Sequence, residues 1–408
     1  MPLPSTLRAL EERDFRLFWT GQCVSHVGTW MQSVGQAWLV LELTASPFRL
    51  GVIRTLQFLP VLVLAIFAGA LVDRFAKRRV LLATQTAFML QAFALSALAW
   101  SGHARYWHVA ILATVYGLAN TFDQPARQSF IGEVVRRDHI VNAIALNSTV
   151  MNAARLIGPA LAGVLIARWG VGPAFFVNGL SFIAVLAALV AIRGGGRPAP
   201  SGPPRMRAHI AEGVRYALRD PVIGLVLLLV LLVSLFVINF NVFVPLVATE
   251  VLHGGADVFG FLMAWMGAGA ILGALMLAAF GPSRPLIGLA LTAAAALSGG
   301  LIALGVARAF WPAAAALVVC GFAMTVFTAS CNTSLQVTVR GELRGRVMSL
   351  YAIVFLGVTP LGSLAIGALA EWVGTSLTLV ISGVLGLASV LAVVALRGRR
   401  QRRLRVAG

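Results

Sequence analysis

The sequence predicts an all-α membrane protein with twelve transmembrane helices arranged in two six-helix halves. Its 408 residues are 59% hydrophobic and only 11% charged, with a mean hydropathy of +0.89, whereas about a quarter of the residues in soluble domains are charged. The apolar residues form runs of the length that crosses a bilayer, about 20 residues. In lipid, such a run satisfies its backbone hydrogen bonds only as a helix. A Gly- and Pro-rich segment near the midpoint leaves six runs on each side.

Two halves, a linker and a tail make up the predicted domain organisation. The N-terminal half is 1–192, the linker 193–221, the C-terminal half 222–396, and a basic cytoplasmic tail 397–408 follows. Residues 205–220 are predicted to form a short amphipathic helix on the cytoplasmic leaflet, with an unstructured charged spacer as the alternative. No cleavable signal peptide is expected. The predicted spans are residues 15–43, 48–72, 79–100, 106–127, 142–167, 171–192, 222–249, 257–280, 285–306, 310–333, 346–370 and 373–396.

The net charge of +18 is unevenly distributed along the chain. Basic residues are concentrated in alternate loops and in the tail, namely residues 74–79, 136–137, 193–219, 340–346 and 397–405. The positive-inside rule therefore places both termini in the cytoplasm of a multi-pass protein of the plasma (inner) membrane. No motif that reads nucleic acid accompanies the charge, so we expect a lipid bilayer and no nucleic acid as partner.

The two halves resemble each other internally. Pro159 in span five and Pro360 in span eleven lie 201 residues apart, each preceded by a basic loop and followed by a Trp and a Gly near the end of the span. Proline removes a backbone hydrogen bond and permits a bend, so Pro159 is a hinge or a close-packing site. Six-span repeats of this kind place a substrate between the halves, near the membrane midplane.

A motif and four further segments resemble a known family. Residues 69–79 match the G-x-L-x-D-R-x-G-R-R loop signature that follows the second helix of major facilitator superfamily transporters, with Ala76 in place of the usual glycine. Residues 15–22, 142–147, 154–159 and 342–351 resemble the branch that contains the bacterial enterobactin exporter and related transmembrane secretion effectors. The resemblance implies the major facilitator fold and the export of siderophores or other small molecules.

Charged residues near the cytoplasmic ends of the spans are candidates for a gate. Asp123 and Arg127, four residues apart in span four, are expected to pair. Asp123 is either part of a charge network that latches the inward gate or the proton carrier, and His26 is the other proton-coupling candidate, with a hydrogen-bonded core histidine as the alternative. Asp73 is expected to accept hydrogen bonds from the start of span eleven. The predicted gating residues are Gly69, Asp73, Arg74, Arg78, Asp123 and Arg127.

Polar residues inside the spans are candidates for a substrate-binding cavity. Five of them recur every three or four residues along span one, which places them on one helix face. They line a cavity or, alternatively, hydrogen-bond between helices. Ser234 and Asn241 lie two turns apart in span seven, and Thr325, Thr328 and Asn332 form a second row in span ten. The predicted substrate-binding residues are Gln22, His26, Thr29, Ser33, Gln36, Asn152, Arg155, Asn241, Thr328 and Asn332.

Arg155 is the most deeply placed charge in the predicted spans. It lies about 18 Å into span five at 1.5 Å per residue, too deep to reach the surface. The spans hold Arg54, Arg127 and Arg155 against Asp123 alone, an excess of two positive charges (three minus one). We therefore expect an acidic or oxygen-rich cargo that contacts Arg155. The alternative is a structural bond from Arg155 to a backbone carbonyl near Pro159.

The sequence as a whole predicts a secondary active transporter. We expect proton-driven efflux of a small amphipathic or anionic molecule, such as a siderophore-like compound or a drug, by alternating access. An importer of a polar metabolite with the same fold is the alternative, and a polytopic membrane enzyme or sensor is a remote one. No ATP-binding motif, catalytic constellation, cofactor motif or metal-ligand spacing is present, so no enzyme, cofactor or metal is predicted. The chain is expected to act as a monomer.

Overall fold

The computed structural model describes residues 5–192, 215–216, 220–280, 286–339 and 343–407. The predicted linker helix lies almost entirely outside these ranges. Within them, every regular element is a helix. The N-terminal helices are α1 Arg13–Thr44, α2 Pro47–Arg74, α3 Lys77–Trp100, α4 Tyr106–Val134, α5 Ile140–Trp169 and α6 Val171–Ala191, with 3-10 turns at Ser5–Glu11 and Arg137–His139. The later helices are α7 Pro221–Phe236, α8 Phe240–Leu246, α9 Ala256–Phe280, α10 Ile287–Val306, α11 Phe310–Thr338, α12 Arg344–Gly357, α13 Thr359–Val373 and α14 Thr375–Ala407.

These helices coincide with the twelve predicted spans, and ten of the spans are confirmed by length and hydropathy in the described part of the chain. The exceptions are α1 and α4, which have 32 and 29 residues but are too polar to meet the same measure. The reason is their content of amide and charged side chains, which include Gln22 and Gln36 in α1 and Asp123 and Arg127 in α4. These two helices are long enough to cross a bilayer, and only their length supports their assignment as spans.

Two predicted spans are not single helices. Span seven is interrupted at residues 237–239 and continues as α8, which ends in a π-helical turn, Val247–Val251. The expectation that Ser234 and Asn241 share one continuous helix face is therefore wrong. Span eleven is interrupted at Val358. Pro360 occupies the first turn of α13, where backbone N–H groups have no partner within the helix, so a proline there breaks no hydrogen bond. Helix α5, in contrast, continues through Pro159.

The segment predicted as a loop after span two is mostly helical. Helix α2 extends through Asp73 to Arg74, and α3 begins at Lys77, so only two residues connect them. The amine of Lys77 is buried, donates to the Val72 carbonyl at 2.9 Å and lies 3.3 Å from the Asp73 carboxylate. Arg78 donates to the carbonyls of residues 189 and 190 at the end of α6. The basic residues of this motif thus cap the C-terminal ends of two helices, where cations are favourable.

The described chain forms two compact units that do not follow the sequence halves strictly. Unit 1 comprises the described residues within 1–45, 56–204 and 255–264, and unit 2 comprises the described residues within 46–55, 205–254 and 265–408. One end of unit 1 holds an apolar core around Phe18 and Phe130, whose rings meet edge to face at 5.2 Å. In unit 2, α9 and α11 pack so closely that a Cβ on Gly269 would lie 2.0 Å from the Val318 carbonyl oxygen. Glycine at this position permits the close approach of the two helices.

Exposed tryptophans in both units mark the ends of the helices that the sequence places outside the cytoplasm. Unit 1 has them at the end of α3, the start of α4 and the end of α5; unit 2 has them at the start of α11 and near the end of α13, and Trp265 of α9 packs against Trp311. These residues are Trp100, Trp107, Trp169, Trp265, Trp311 and Trp372. Tryptophans of this kind are typical of the membrane–water interface.

Candidate functional site

The predicted pair of Asp123 and Arg127 is present in unit 1. The carboxylate of Asp123 is completely buried and forms an ion pair with the guanidinium of Arg127, one turn further along α4. Its other oxygen accepts hydrogen bonds from Thr84 at 2.8 Å and from Gln85 at 2.7 Å, both on α3. Burying an ionised carboxylate is costly unless it is paired and hydrogen-bonded, and these three partners meet that requirement.

The ion pair continues to α1 through Arg127. One guanidinium nitrogen of Arg127 donates to Gln22 at 2.8 Å and lies 3.3 Å from Nε2 of His26. The structure therefore brings together two predicted cavity residues and the predicted gating pair in one polar cluster of α1, α3 and α4. We call Gln22, His26, Asp123 and Arg127, with Thr84 and Gln85, the Asp123 cluster. It contains both residues that we identified as proton-coupling candidates.

Two further residues of the polar stripe on α1, Thr29 and Gln36, hydrogen-bond to protein. Thr29 donates to the Ser25 carbonyl of its own helix at 2.8 Å, and the Gln36 side chain accepts from Gln57 of α2 at 3.1 Å. Gln36 is buried and Ser33 is half-buried. For Gln36 the structure thus favours hydrogen bonding between helices, the alternative to the cavity wall. A cavity role for Thr29 and Ser33 stays a prediction.

A second buried amide network was not identified from the sequence. Gln32 of α1 donates to Gln91 of α3 at 2.8 Å and accepts from Asn178 of α6 at 2.7 Å, while Ser181 donates to Asn178. All four side chains are buried. Gln32 lies outside the three- and four-residue spacing that singled out the stripe, and Asn178 and Ser181 lie in an otherwise apolar run. The only sequence signal was the cost of placing amides in a membrane helix.

Arg155 lies half-way along α5 and its guanidinium carbon is 5.3 Å from the centre of the Trp30 ring on α1. Its Nε is buried and has no hydrogen-bond partner among the described residues. The structural alternative, a bond to a carbonyl near Pro159, is not formed there. Asn152, one turn earlier, is half-buried and donates to the Ser148 carbonyl of its own helix at 3.0 Å.

The predicted residues of unit 2 do not form a comparable cluster. Thr328 donates to backbone carbonyls of its own helix α11, and Asn332 accepts from Gln336 at 2.5 Å. Asn241 is half-buried and makes no hydrogen bond within the described residues. The prominent polar residue is instead Asn239, at the break between α7 and α8. Its amide donates to the carbonyls of residues 234 and 235 and accepts from Ser363 of α13 at 3.1 Å.

Comparison with known proteins gives a family and a set of relatives. A family model described as transmembrane secretion effector matches residues 4–404. The chain is 27% identical over 379 residues to the uncharacterized MFS-type transporter YfiS of Bacillus subtilis, covering 89% of this chain and 88% of that protein. It is 24% identical to the staphyloferrin A transporter of Staphylococcus aureus (90% and 92% covered) and 28% identical to the multidrug efflux pump Tap of Mycolicibacterium fortuitum (86% and 88% covered).

Solved structures show the same fold at low sequence identity. A mutant of the peptide transporter POT superposes with a TM-score of 0.78 at 12% identity, with 95% of each chain covered. A bacterial homologue of the lysosomal transporter Spinster, in an inward-facing and occupied conformation, gives 0.73 at 14% identity, with 95% of this chain and 97% of the other covered. The predicted all-α transporter fold is therefore confirmed.

Proposed function

The chain belongs to the transmembrane secretion effector family of major facilitator transporters, and from that premise we propose that it exports a small amphipathic or anionic molecule, driven by protons. The resemblance stated from the sequence is confirmed, and the protein is a multi-pass membrane transporter rather than an enzyme. Export is supported by the names of the relatives, which include a siderophore transporter, a multidrug efflux pump and the macrolide efflux protein A of Streptococcus pyogenes. A siderophore-like compound or a drug is the corresponding cargo.

The observation that carries the proton-driven mechanism is the burial of Asp123 against Arg127. Adding a proton to this carboxylate removes its charge and with it the ion pair to Arg127. Leaving one partner of a buried ion pair alone costs about 3–5 kcal/mol, so protonation favours a rearrangement that gives Arg127 new partners. Gln22 and His26 of α1 already contact Arg127, which links the ion pair to the helix that carries the polar stripe.

The same cluster serves as the coupling site in an alternating-access cycle. With Asp123 ionised, its bonds to Thr84 and Gln85 hold α4 to α3, and its ion pair orients Arg127 toward α1; proton entry releases that constraint. Asp73, Arg74 and Arg78 remain our candidates for the cytoplasmic gate, although Asp73 pairs with Lys77 and Arg78 caps α6 in this conformation. The substrate-binding residues of both sequence halves and the monomeric state also stay part of this proposal.

Inverted membrane vesicles test both the direction of transport and its coupling. Vesicles that contain the protein are energised, and uptake of erythromycin and of staphyloferrin A is measured together with the transmembrane pH gradient. We expect a transported compound to accumulate inside inverted vesicles, to dissipate the gradient, and to lose accumulation when an uncoupler is added. Accumulation in right-side-out vesicles would instead identify an importer, and accumulation that resists the uncoupler would exclude proton coupling.

Asp123→Asn tests the coupling residue directly. The variant keeps the size of the side chain and one acceptor oxygen but cannot carry a proton, so we expect it to lose gradient-driven accumulation while it still equilibrates substrate down a concentration gradient. Glu133→Gln is the matched control, because it removes an exposed carboxylate from the same helix. If Asp123→Asn accumulates substrate at the wild-type level, Asp123 is not the coupling residue.

A further inference from the structure

Arg155 is a permanent charge in the middle of a membrane helix. The residue lies fifteen positions from the start of α5 and fourteen from its end, about 22 Å and 21 Å at 1.5 Å per residue. An arginine near a helix end reaches the interface with its long side chain, but one at the centre does not. Its charge must therefore be stabilised locally.

The described protein does not supply a negative partner for Arg155. No carboxylate lies within ion-pair distance of its guanidinium, and its buried Nε has no acceptor among the described residues. Its terminal nitrogens make no hydrogen bond there either, and they are not among the buried atoms without a partner, so they keep exposed surface at which an acceptor can bind. In contrast, Arg127 on α4 has Asp123, Gln22 and His26.

Trp30 is the one aromatic partner of Arg155 in the described structure, and its position is fixed. One turn beyond Arg155, a Cβ on Gly158 would lie 2.5 Å from the Cβ of Trp30 and 2.8 Å from the Val27 carbonyl oxygen. Glycine therefore brings α1 and α5 into backbone contact and places the indole beside the guanidinium. A cation–π contact compensates only part of the cost of a desolvated charge.

We infer that Arg155 and Trp30 form an anion-binding subsite for an organic acid whose carboxylate is attached to a flat apolar group. The free N–H fork of a guanidinium matches the two oxygens of a carboxylate, and the indole provides an apolar surface for the adjoining group. The subsite lies wholly within unit 1. This inference deepens the proposed function, since it names the chemical class of the cargo.

Binding to the purified full-length protein tests the subsite without a proton gradient. The protein is held in uncharged detergent without anionic lipid, and benzoate is titrated while heat transfer is recorded, with benzamide as the neutral analogue of the same shape. We expect benzoate to bind and benzamide to bind at least about tenfold more weakly, because the charged hydrogen bonds to Arg155 are lost. Equal binding of the two compounds would refute the inference.

Variants assign the binding to these two residues. Arg155→Gln is expected to weaken benzoate binding at least about tenfold, whereas Arg168→Gln, which alters an exposed arginine of the same helix, leaves it unchanged. Trp30→Leu is expected to weaken benzoate binding while acetate binding is retained, because only the flat group loses its surface. Unchanged benzoate binding in Arg155→Gln would exclude Arg155.

Two further measurements distinguish a loss of benzoate binding from misfolding of the variant and from occupation of the subsite by a lipid. If Arg155→Gln does not fold, Arg155→Lys keeps the charge without the fork and should bind benzoate measurably more weakly than wild type; equal affinity would refute the fork. Adding phosphatidylglycerol should leave the benzoate affinity unchanged, and a strong competition would show that a lipid phosphate occupies the subsite instead. Because no gradient is used, proton-driven export of erythromycin in vesicles remains an independent result.

Discussion

At the scale of single residues, glycines decide how closely polar groups approach one another in unit 1. Gly28 of α1 faces the amide network of Gln32, Asn178 and Ser181, and any larger residue would enter that network. The sequence indicated that polar residues on α1 matter, and Gln22, His26 and Gln36 do make contacts with neighbouring helices. It did not identify the partners of Gln32, because they depend on which residues of α3 and α6 face it.

Gly28→Ala is predicted to destabilise the protein by disturbing this network. The added Cβ would lie 2.5 Å from the Asn178 Oδ1 and 2.6 Å from the Ser181 Oγ, so at least one buried hydrogen bond is broken at a cost of about 1–3 kcal/mol. Thermal unfolding of the purified protein is the measurement. Gly132→Ala is the control, because a Cβ there meets nothing within 4 Å. Equal unfolding temperatures for the two variants would contradict the prediction.

At the scale of helices, hydropathy predicted positions well and interruptions poorly. The breaks in spans seven and eleven leave the apolar runs unchanged, and the first has no Gly or Pro at residues 237–239 to indicate it. Pro159 and Pro360 look equivalent in the sequence, yet α5 is continuous and span eleven is divided. Contacts between helices accompany the division of span eleven. Asn239 donates to the carbonyls that the break in span seven leaves without helical partners. Ser363, which follows the break in span eleven, donates to Asn239.

Asn239→Ala is predicted to weaken this junction. The change removes the donor to the carbonyls of residues 234 and 235 and the acceptor for Ser363, and unsatisfied buried groups cost about 1–3 kcal/mol. A lower unfolding temperature should therefore accompany normal membrane insertion. Asn241→Ala is the contrasting variant, because Asn241 makes no hydrogen bond within the described residues; it should unfold like wild type and affect transport alone. The prediction fails if Asn239→Ala is as stable as Asn241→Ala.

At the scale of the whole molecule, the exposed tryptophans are compatible with the topology that the charge distribution predicts. The sequence-based argument used only the basic loops, and the structure adds exposed tryptophans at the opposite helix ends of each unit. The fold class was accessible from sequence because transmembrane helices are selected by length and hydropathy, which are local properties. The Arg155–Trp30 contact was not, since it depends on the approach of α1 and α5 at Gly158.

Reporter fusions test the predicted topology of the whole chain. Helix α14 has 33 residues, about 50 Å at 1.5 Å per residue, and the hydrocarbon core is only about 30 Å thick. Its basic end, beginning at Arg397, must therefore stand outside the core, and the positive-inside rule places it in the cytoplasm.

Fusions of two reporters make this topology measurable. Green fluorescent protein becomes fluorescent when it folds in the cytoplasm and stays dark when it is exported unfolded. It should be fluorescent after Gly408 and when inserted near Ser201. Alkaline phosphatase, which is active only outside the cytoplasm, should be active at Gly102, in the connection between α3 and α4, and inactive at the other two positions. Phosphatase activity after Gly408 would mean an odd number of spans or an inverted orientation, and the polar helices α1 and α4 would be the first to re-examine.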